Sequence, residues 1–117
     1  LNYDVAYDAT LRLMTKHPDI TAIFTCNDQI AINSVIPALD SLGYSVPDDI
    51  SIIGIDDIEA AQTHTPPLTT IHIDRELMGE LGVQRIIEQA DNPNRSPVKS
   101  IVATRLVERD TVKKLVD

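Results

Sequence analysis

Apolar positions along the first 16 residues fall at helical spacing. Tyr3, Ala6, Tyr7, Leu11, Leu13 and Met14, with Thr10 among them, predict an amphipathic helix over residues 3–16. His17-Pro18-Asp19 ends it, because proline disfavours the helical region in the residue before it. A short apolar run, Thr21 to Cys26, then reads as a strand. Asn27 or Asp28 can cap a second helix running to about Leu42, with Gly43 as its stop and Pro37 forcing a bend or bulge on the way. Ile50 to Ile55 reads as a strand covered on both faces, since Ile52-Ile53-Gly54-Ile55 shows no polar alternation. One helical turn over 59–62 is followed by the stiff Thr65-Pro66-Pro67 and a β-branched strand, Thr69 to Ile73. Asp74 can cap a helix through about Ala90, with Leu77, Met78, Leu81, Ile86 and Ile87 on its apolar stripe. Gly79 and Gly82 weaken that helix and suggest close packing against another element. After a polar loop at 91–97, Val98 to Val107 reads as a last strand and 108–117 as a charged tail. The order α-β-α-β-β-α-β predicts an α/β layered fold with a parallel sheet, Phe24 lying in its core.

Composition narrows the class. A chain of 117 residues is long enough for a domain with a core, and no apolar run could span a membrane. The start, Leu1-Asn2-Tyr3-Asp4, has neither an initiator Met nor the pattern of a signal peptide, so the chain reads as a segment of something longer. A net charge of -8 repels phosphate backbones and argues against this segment touching nucleic acid. The single cysteine, Cys26, cannot form an internal disulfide, which fits a cytosolic compartment.

The candidate chemistry lies where two buried strands end. In an open parallel sheet, ligands bind beyond the carboxyl ends of the strands. One run ends in Cys26-Asn27-Asp28 and the other in Asp56-Asp57. A carboxylate has two acceptor oxygens and suits a vicinal diol, so Asp56 is the leading contact for a polar small molecule. Asp57 reads as a turn cap. Asn27 is divided between reading a hydroxyl and capping a helix, and Gln29 is weaker. His17, His64 and His72 are scattered, without metal-ligand spacing, and read as structural or surface groups. No GxSxG, P-loop or HExxH sequence is present, so no enzyme is expected.

Taken in order, Thr21-Ala22-Ile23-Phe24, Asn27-Asp28, Gly43, Val46-Pro47-Asp48-Asp49-Ile50-Ser51, Gly54-Ile55-Asp56-Asp57-Ile58, Thr65-Pro66-Pro67-Leu68-Thr69-Thr70-Ile71 and Met78-Gly79 resemble the LacI/GalR family of bacterial transcription regulators. The resemblance runs from about Tyr3 to Arg109. It implies a C-terminal part of a two-lobed, periplasmic-binding-protein-like effector-binding core, with the headpiece and most of the first lobe outside the chain. Crossings between lobes are expected near Ile73 and Ile101, which would place the helix over 74–90 in the other lobe. The resemblance implies Asp56, Asn27 and Asp28 as effector contacts. Leu1 lies near a position where some relatives place an aromatic contact. It implies a homodimer, with His64, Gln29 and Ile30 at its interface. It further implies a sugar or sugar-phosphate effector bound between two lobes, with nucleosides or purines as other classes. Operator DNA would be held through the headpiece, no cofactor is needed, and the compartment is cytoplasmic. The rival readings are a substrate-binding protein of a sugar transport system, distinguished by a signal peptide upstream, and an α/β enzyme domain.

Overall fold

A computed structural model describes residues 2–115. The chain divides into two units: Leu1–His72 with Leu106–Asp117, and Ile73–Arg105.

In the first unit, helix α1 (Tyr3–Lys16) begins where Asn2 Oδ1 accepts from the amide of Val5 and ends at His17, before Pro18. Strand β1 (Ala22–Phe24) follows. A continuous helical run then comprises α2 (Asp28–Ile30), a π-helical turn (Ala31–Val35) and α3 (Ile36–Ser41). The wide turn is the bulge expected at Pro37. Proline has no N–H for the carbonyl four residues back, and the ladder slips by one, so that the amide of Ile36 donates to Ala31 O. Gly43, at φ 82°, stops the run, with its own amide donating to Asp40 O and that of Tyr44 to Leu39 O. Strand β2 (Ser51–Asp56), the short helix α4 (Glu59–Thr63) and strand β3 (Thr69–His72) complete the pattern.

Strands β1, β2 and β3 are parallel and lie in sequence order, with β4 (Arg105–Val107) at the end of the sheet. Right-handed crossovers that step the same way place their helices on the same face. Met14, Ala31, Val35, Leu39, Ile52, Ala61 and Leu68 accordingly form one buried cluster on that face. The register pairs Ile23 with Ile52 on the core side and Phe24 with Ile53 on the reverse. Phe24 is 64% exposed. Two expectations are thereby corrected within the first unit: Phe24 is not in its core, and β2 is covered on one face, because consecutive steps in a single direction leave the reverse of the sheet without a helix of that unit.

In the second unit, α5 (Arg75–Asp91) starts where Asp74 Oδ1 accepts from the amide of Leu77, as its sequence suggests. Nothing lies within 4 Å of a Cβ placed at Gly79 or Gly82, so the expected close packing is absent among the described residues. The last strand is shorter than expected, Arg105–Val107 in place of 98–107. The tail beyond it is not merely charged surface. Thr111 is fully buried; its hydroxyl accepts from the amide of Thr69 and donates to Ile52 O, stitching the segment to two strands.

Gly54 in β2 marks a close approach. A Cβ there would collide with Asp28 Oδ1 and press on Leu68 Cδ2, which lies 3.1 Å away. Gly54→Ala should therefore destabilise the fold by about 1–3 kcal/mol, the cost of overpacking a filled core. Urea unfolding followed by circular dichroism measures it, and an unchanged midpoint would remove the close-approach account.

Candidate functional site at the strand tips

Because β1 and β2 run parallel, the segments after Phe24 and Asp56 emerge at the same edge of the sheet. Pairing extends past β1, with the amide of Thr25 donating to Ile53 O (2.9 Å). The Thr25 hydroxyl reaches Asn27 O at 3.0 Å, which curls the backbone into α2. Asn27 caps that helix, its Oδ1 accepting from the amide of Ile30 at 2.8 Å. The cap occupies the carbonyl side of the amide group; the NH₂ side is the donor that remains for another partner.

One residue on, Asp28 is turned inward and is 0% exposed. Its Oδ1 accepts from Thr70 Oγ1 (2.5 Å) and its Oδ2 from the amide of Ile58 (3.0 Å). Asp28 thus bonds the tip of β1 to the turn that follows β2 and to β3. This rules against its expected part as an effector contact: a carboxylate with no exposed surface and a protein donor on each oxygen supports the rim from beneath. It also joins the segment that follows β1, which carries Asn27, to the turn that follows Asp56.

The turn itself is unusual. Asp56 has φ 113° and Asp57 φ 53°, two successive side-chain-bearing residues in conformations that glycine tolerates best. Such residues persist where surrounding structure holds them, and they concentrate at ligand sites. Asp56 remains partly exposed at the tip. Asp57 bonds in the other direction. Its Oδ1 accepts from Arg109 Nη2 (2.5 Å), and its Oδ2 lies 2.9 Å from His72 Nδ1. Arg109 is itself anchored, Nη1 donating to Leu68 O (2.8 Å) and its backbone amide to Thr69 Oγ1 (2.9 Å).

The two inner carboxylates are shifted in opposite directions. Burial pushes Asp28 above the ordinary carboxylate value, against the hydrogen bonds from Thr70 and the backbone, and the negative charge of Asp56 adds to the rise. Burial would also raise Asp57, but hydrogen bonds from Arg109 and His72 and the charge of Arg109 outweigh it and hold the group below its ordinary value. An ionised Asp57 has no proton to give, so Nδ1 of His72 carries the hydrogen. Among the described residues, no group of three His, Cys, Asp or Glu side chains is placed to hold a metal ion. No described helix is long and apolar enough to cross a membrane.

The remaining sequence candidates fall elsewhere. Leu1 lies outside the described residues. Ile30 is buried in the first unit's core, which corrects its expected place at a dimer surface: on the helix following Asn27, its side of the turn faces the sheet. Gln29 is exposed and accepts from the Tyr3 hydroxyl at 3.4 Å. His64 is half-buried; its Nδ1 donates to Pro66 O (2.8 Å), and its ring lines a groove of about 470 Å³ with Ile32, Ile36, Pro37 and Tyr44. Arg109 and His72 were not singled out by their sequence setting, since each partner of Asp57 is distant along the chain and neither sits in a motif.

The opposed shifts predict opposed pH dependences. Asp57, depressed in the folded state, contributes stability that is complete above the unfolded value of 3.8 and is lost as pH falls through the folded value. Asp28, raised in the folded state, contributes stability that is complete below 3.8 and is lost as pH rises through its folded value. Asp57→Asn should cost about 1.5–3 kcal/mol at neutral pH, shrinking in acid, while the difference between wild type and Asp28→Asn should move the other way. Urea unfolding at a series of pH values measures both, and differences that do not vary with pH would contradict the assignment.

With this geometry in hand, comparison with known proteins is specific. Residues 2–112 match the family described as periplasmic binding protein-like domain. The chain is 35% identical over 109 residues to the HTH-type transcriptional repressor PurR of Mannheimia succiniciproducens, covering 93% of this chain and 32% of that protein. Among solved structures, the transcriptional regulator CelR–cellobiose complex superposes with a TM-score of 0.87 at 27% identity, covering 95% of this chain and 34% of that one. The lac repressor dimer bound to operator and the anti-inducer ONPF superposes with a TM-score of 0.80 at 31% identity, covering 92% and 37%. The chain therefore spans about a third of the length of the proteins it matches. It belongs to the periplasmic-binding-protein-like family, as part of an effector-binding domain of the LacI/GalR regulators.

Proposed function

We propose that this chain forms part of the effector-sensing domain of a transcriptional repressor, binds a small polyhydroxylated molecule of the sugar class at the strand-tip rim, and performs no catalysis. Asp56 is the charged acceptor for vicinal hydroxyls, and the Asn27 NH₂ group donates to a neighbouring oxygen. The observation that carries this reading is the bonding of the two tips through Asp28, which ties the segments bearing Asn27 and Asp56 together while Asp56 stays partly exposed in a strained conformation. The CelR relative is described as a cellobiose complex, which agrees with a sugar class.

The second unit fits a separate lobe. In α5, Met78 and Leu81 line an open apolar groove of about 440 Å³ with Ile73, Val102 and Thr104, and Val83, Ile86 and Ile87 are exposed. That stripe suits burial in a lobe completed by chain beyond this sequence. The groove beside His64 is the proposed surface for a second copy, with Ile32, Ile36 and Tyr44 as its apolar lining, and the exposed Gln29 is proposed to join that surface. Operator DNA would be bound by a headpiece outside this segment, since the net charge of -8 opposes contact with phosphates here. Effector would then act through the difference in its affinity for two lobe orientations, typically ~1–3 kcal/mol.

In the complete protein, a thermal-shift panel of cellobiose, lactose and D-ribose, with free purine bases and nucleosides alongside, should show a rise for at least one sugar. Asp56→Ala should then weaken that sugar by more than about tenfold in calorimetry, through loss of charge-assisted hydrogen bonds of about 1.5–3 kcal/mol each. Unchanged affinity would reject Asp56 as a contact. A shift only with purines or nucleosides would reject the sugar class.

A further inference from the structure

The residues around Asp57 have a second property, which lies in chain connectivity. The chain leaves the first unit after His72 and re-enters it at Leu106. His72 is the last residue on the outgoing side, and Arg109 sits three residues inside the return. Both side chains bond the same carboxylate, that of Asp57, from opposite oxygens. Asp57 directly follows Asp56, shares its left-handed turn, and has a side chain only 9% exposed.

We infer that Asp57 is a latch: it ties the turn bearing Asp56 to both chain segments through which the first unit connects to the second. Three features make the tie stiff. The carboxylate is nearly enclosed and charged, so neither oxygen can be released to water cheaply. Arg109 is fixed at its other nitrogen and at its backbone, by Leu68 O and Thr69 Oγ1, so its guanidinium cannot follow a moving partner. The amide of Ile58, the next residue, is held by the Asp28 carboxylate at 3.0 Å, which restrains the turn on the far side of Asp57. A change in the φ or ψ of Asp56 therefore shifts the Asp57 carboxylate and, with it, both connections. Conversely, a displacement of either connection is felt at Asp56. Asp57, His72 and Arg109 are positioning residues, acting on the rim without touching a ligand there. What the latch transmits rests on the effector reading above; the bonds and their test do not.

The test is amide hydrogen exchange, by mass spectrometry, on the complete protein without ligand. Asp57→Asn should raise exchange in three segments together, 56–58, 71–74 and 105–109, by about tenfold or more, as local opening no longer has to break charge-assisted bonds. Met14→Ala, a core change remote from the latch, is compared at a temperature where the two variants have equal global stability; it should leave the three segments no faster than their neighbours. Should Asp57→Asn fail to fold, the half-latches serve. His72→Gln should loosen 56–58 and 71–74 but not 105–109, and Arg109→Gln should loosen 56–58 and 105–109 but not 71–74. An increase confined to 56–58, or one matched by Met14→Ala, overturns the latch. Failure of every sugar to bind the complete protein would overturn the effector reading and leave the exchange result standing.

Discussion

The enclosed carboxylate of Asp28 is the constraint from which the rest of the site follows. A charged group without exposed surface is costly unless donors meet it, and here they come from two places: a side chain on β3 and an amide of the turn after β2. Its position on the first turn of α2 puts it beneath the tips of the strands. Gly54 is the accommodation on the opposite side, since any side chain there would occupy the volume of the carboxylate. One residue type at position 28 and one at position 54 thus answer each other across the core.

From that anchor the rim acquires its division of labour. Asp56 and Asp57 are adjacent and chemically identical, yet the turn sends them to different tasks. Asp57 goes inward to Arg109 and His72, where it is nearly enclosed and kept ionised. Asp56 stays partly exposed with an uncommon backbone conformation. The strain of two consecutive positive φ values is offset by bonds to the side chain of Asp57 and to the amide of Ile58 that follows it. Preorganisation of this kind lowers the cost of ordering a contact when a ligand arrives.

The architecture also explains its own open surfaces. Three parallel strands that step in one direction gather α1, α2, α3 and α4 on a single face, and Phe24, Ile53, Leu106 and Val112 remain on the reverse or at its margin. In the second unit the apolar stripe of α5 is likewise open. Parallel sheets are ordinarily covered on both faces. Both features agree with a chain that spans about a third of the length of its relatives.

Local chemistry was legible from the residues alone. Helix periodicity, the caps at Asn27 and Asp74, the stop at Gly43 and the disturbance at Pro37 all depend on neighbours within five positions, and each has the form its sequence suggests. The convergence of two strand tips was legible too, because parallel strands place their carboxyl ends at one edge. The tasks of the acidic residues were decided by tertiary structure. Whether Asp28 faces a ligand or the core depends on Thr70 and Gly54, far away along the chain. Asp57 depends on Arg109, 52 positions on. The same holds for Phe24, whose apolar character suggested burial but whose face has no helix of its own unit to cover it. Periodicity reports which side of an element is apolar; only the assembled sheet determines what, if anything, lies against that side.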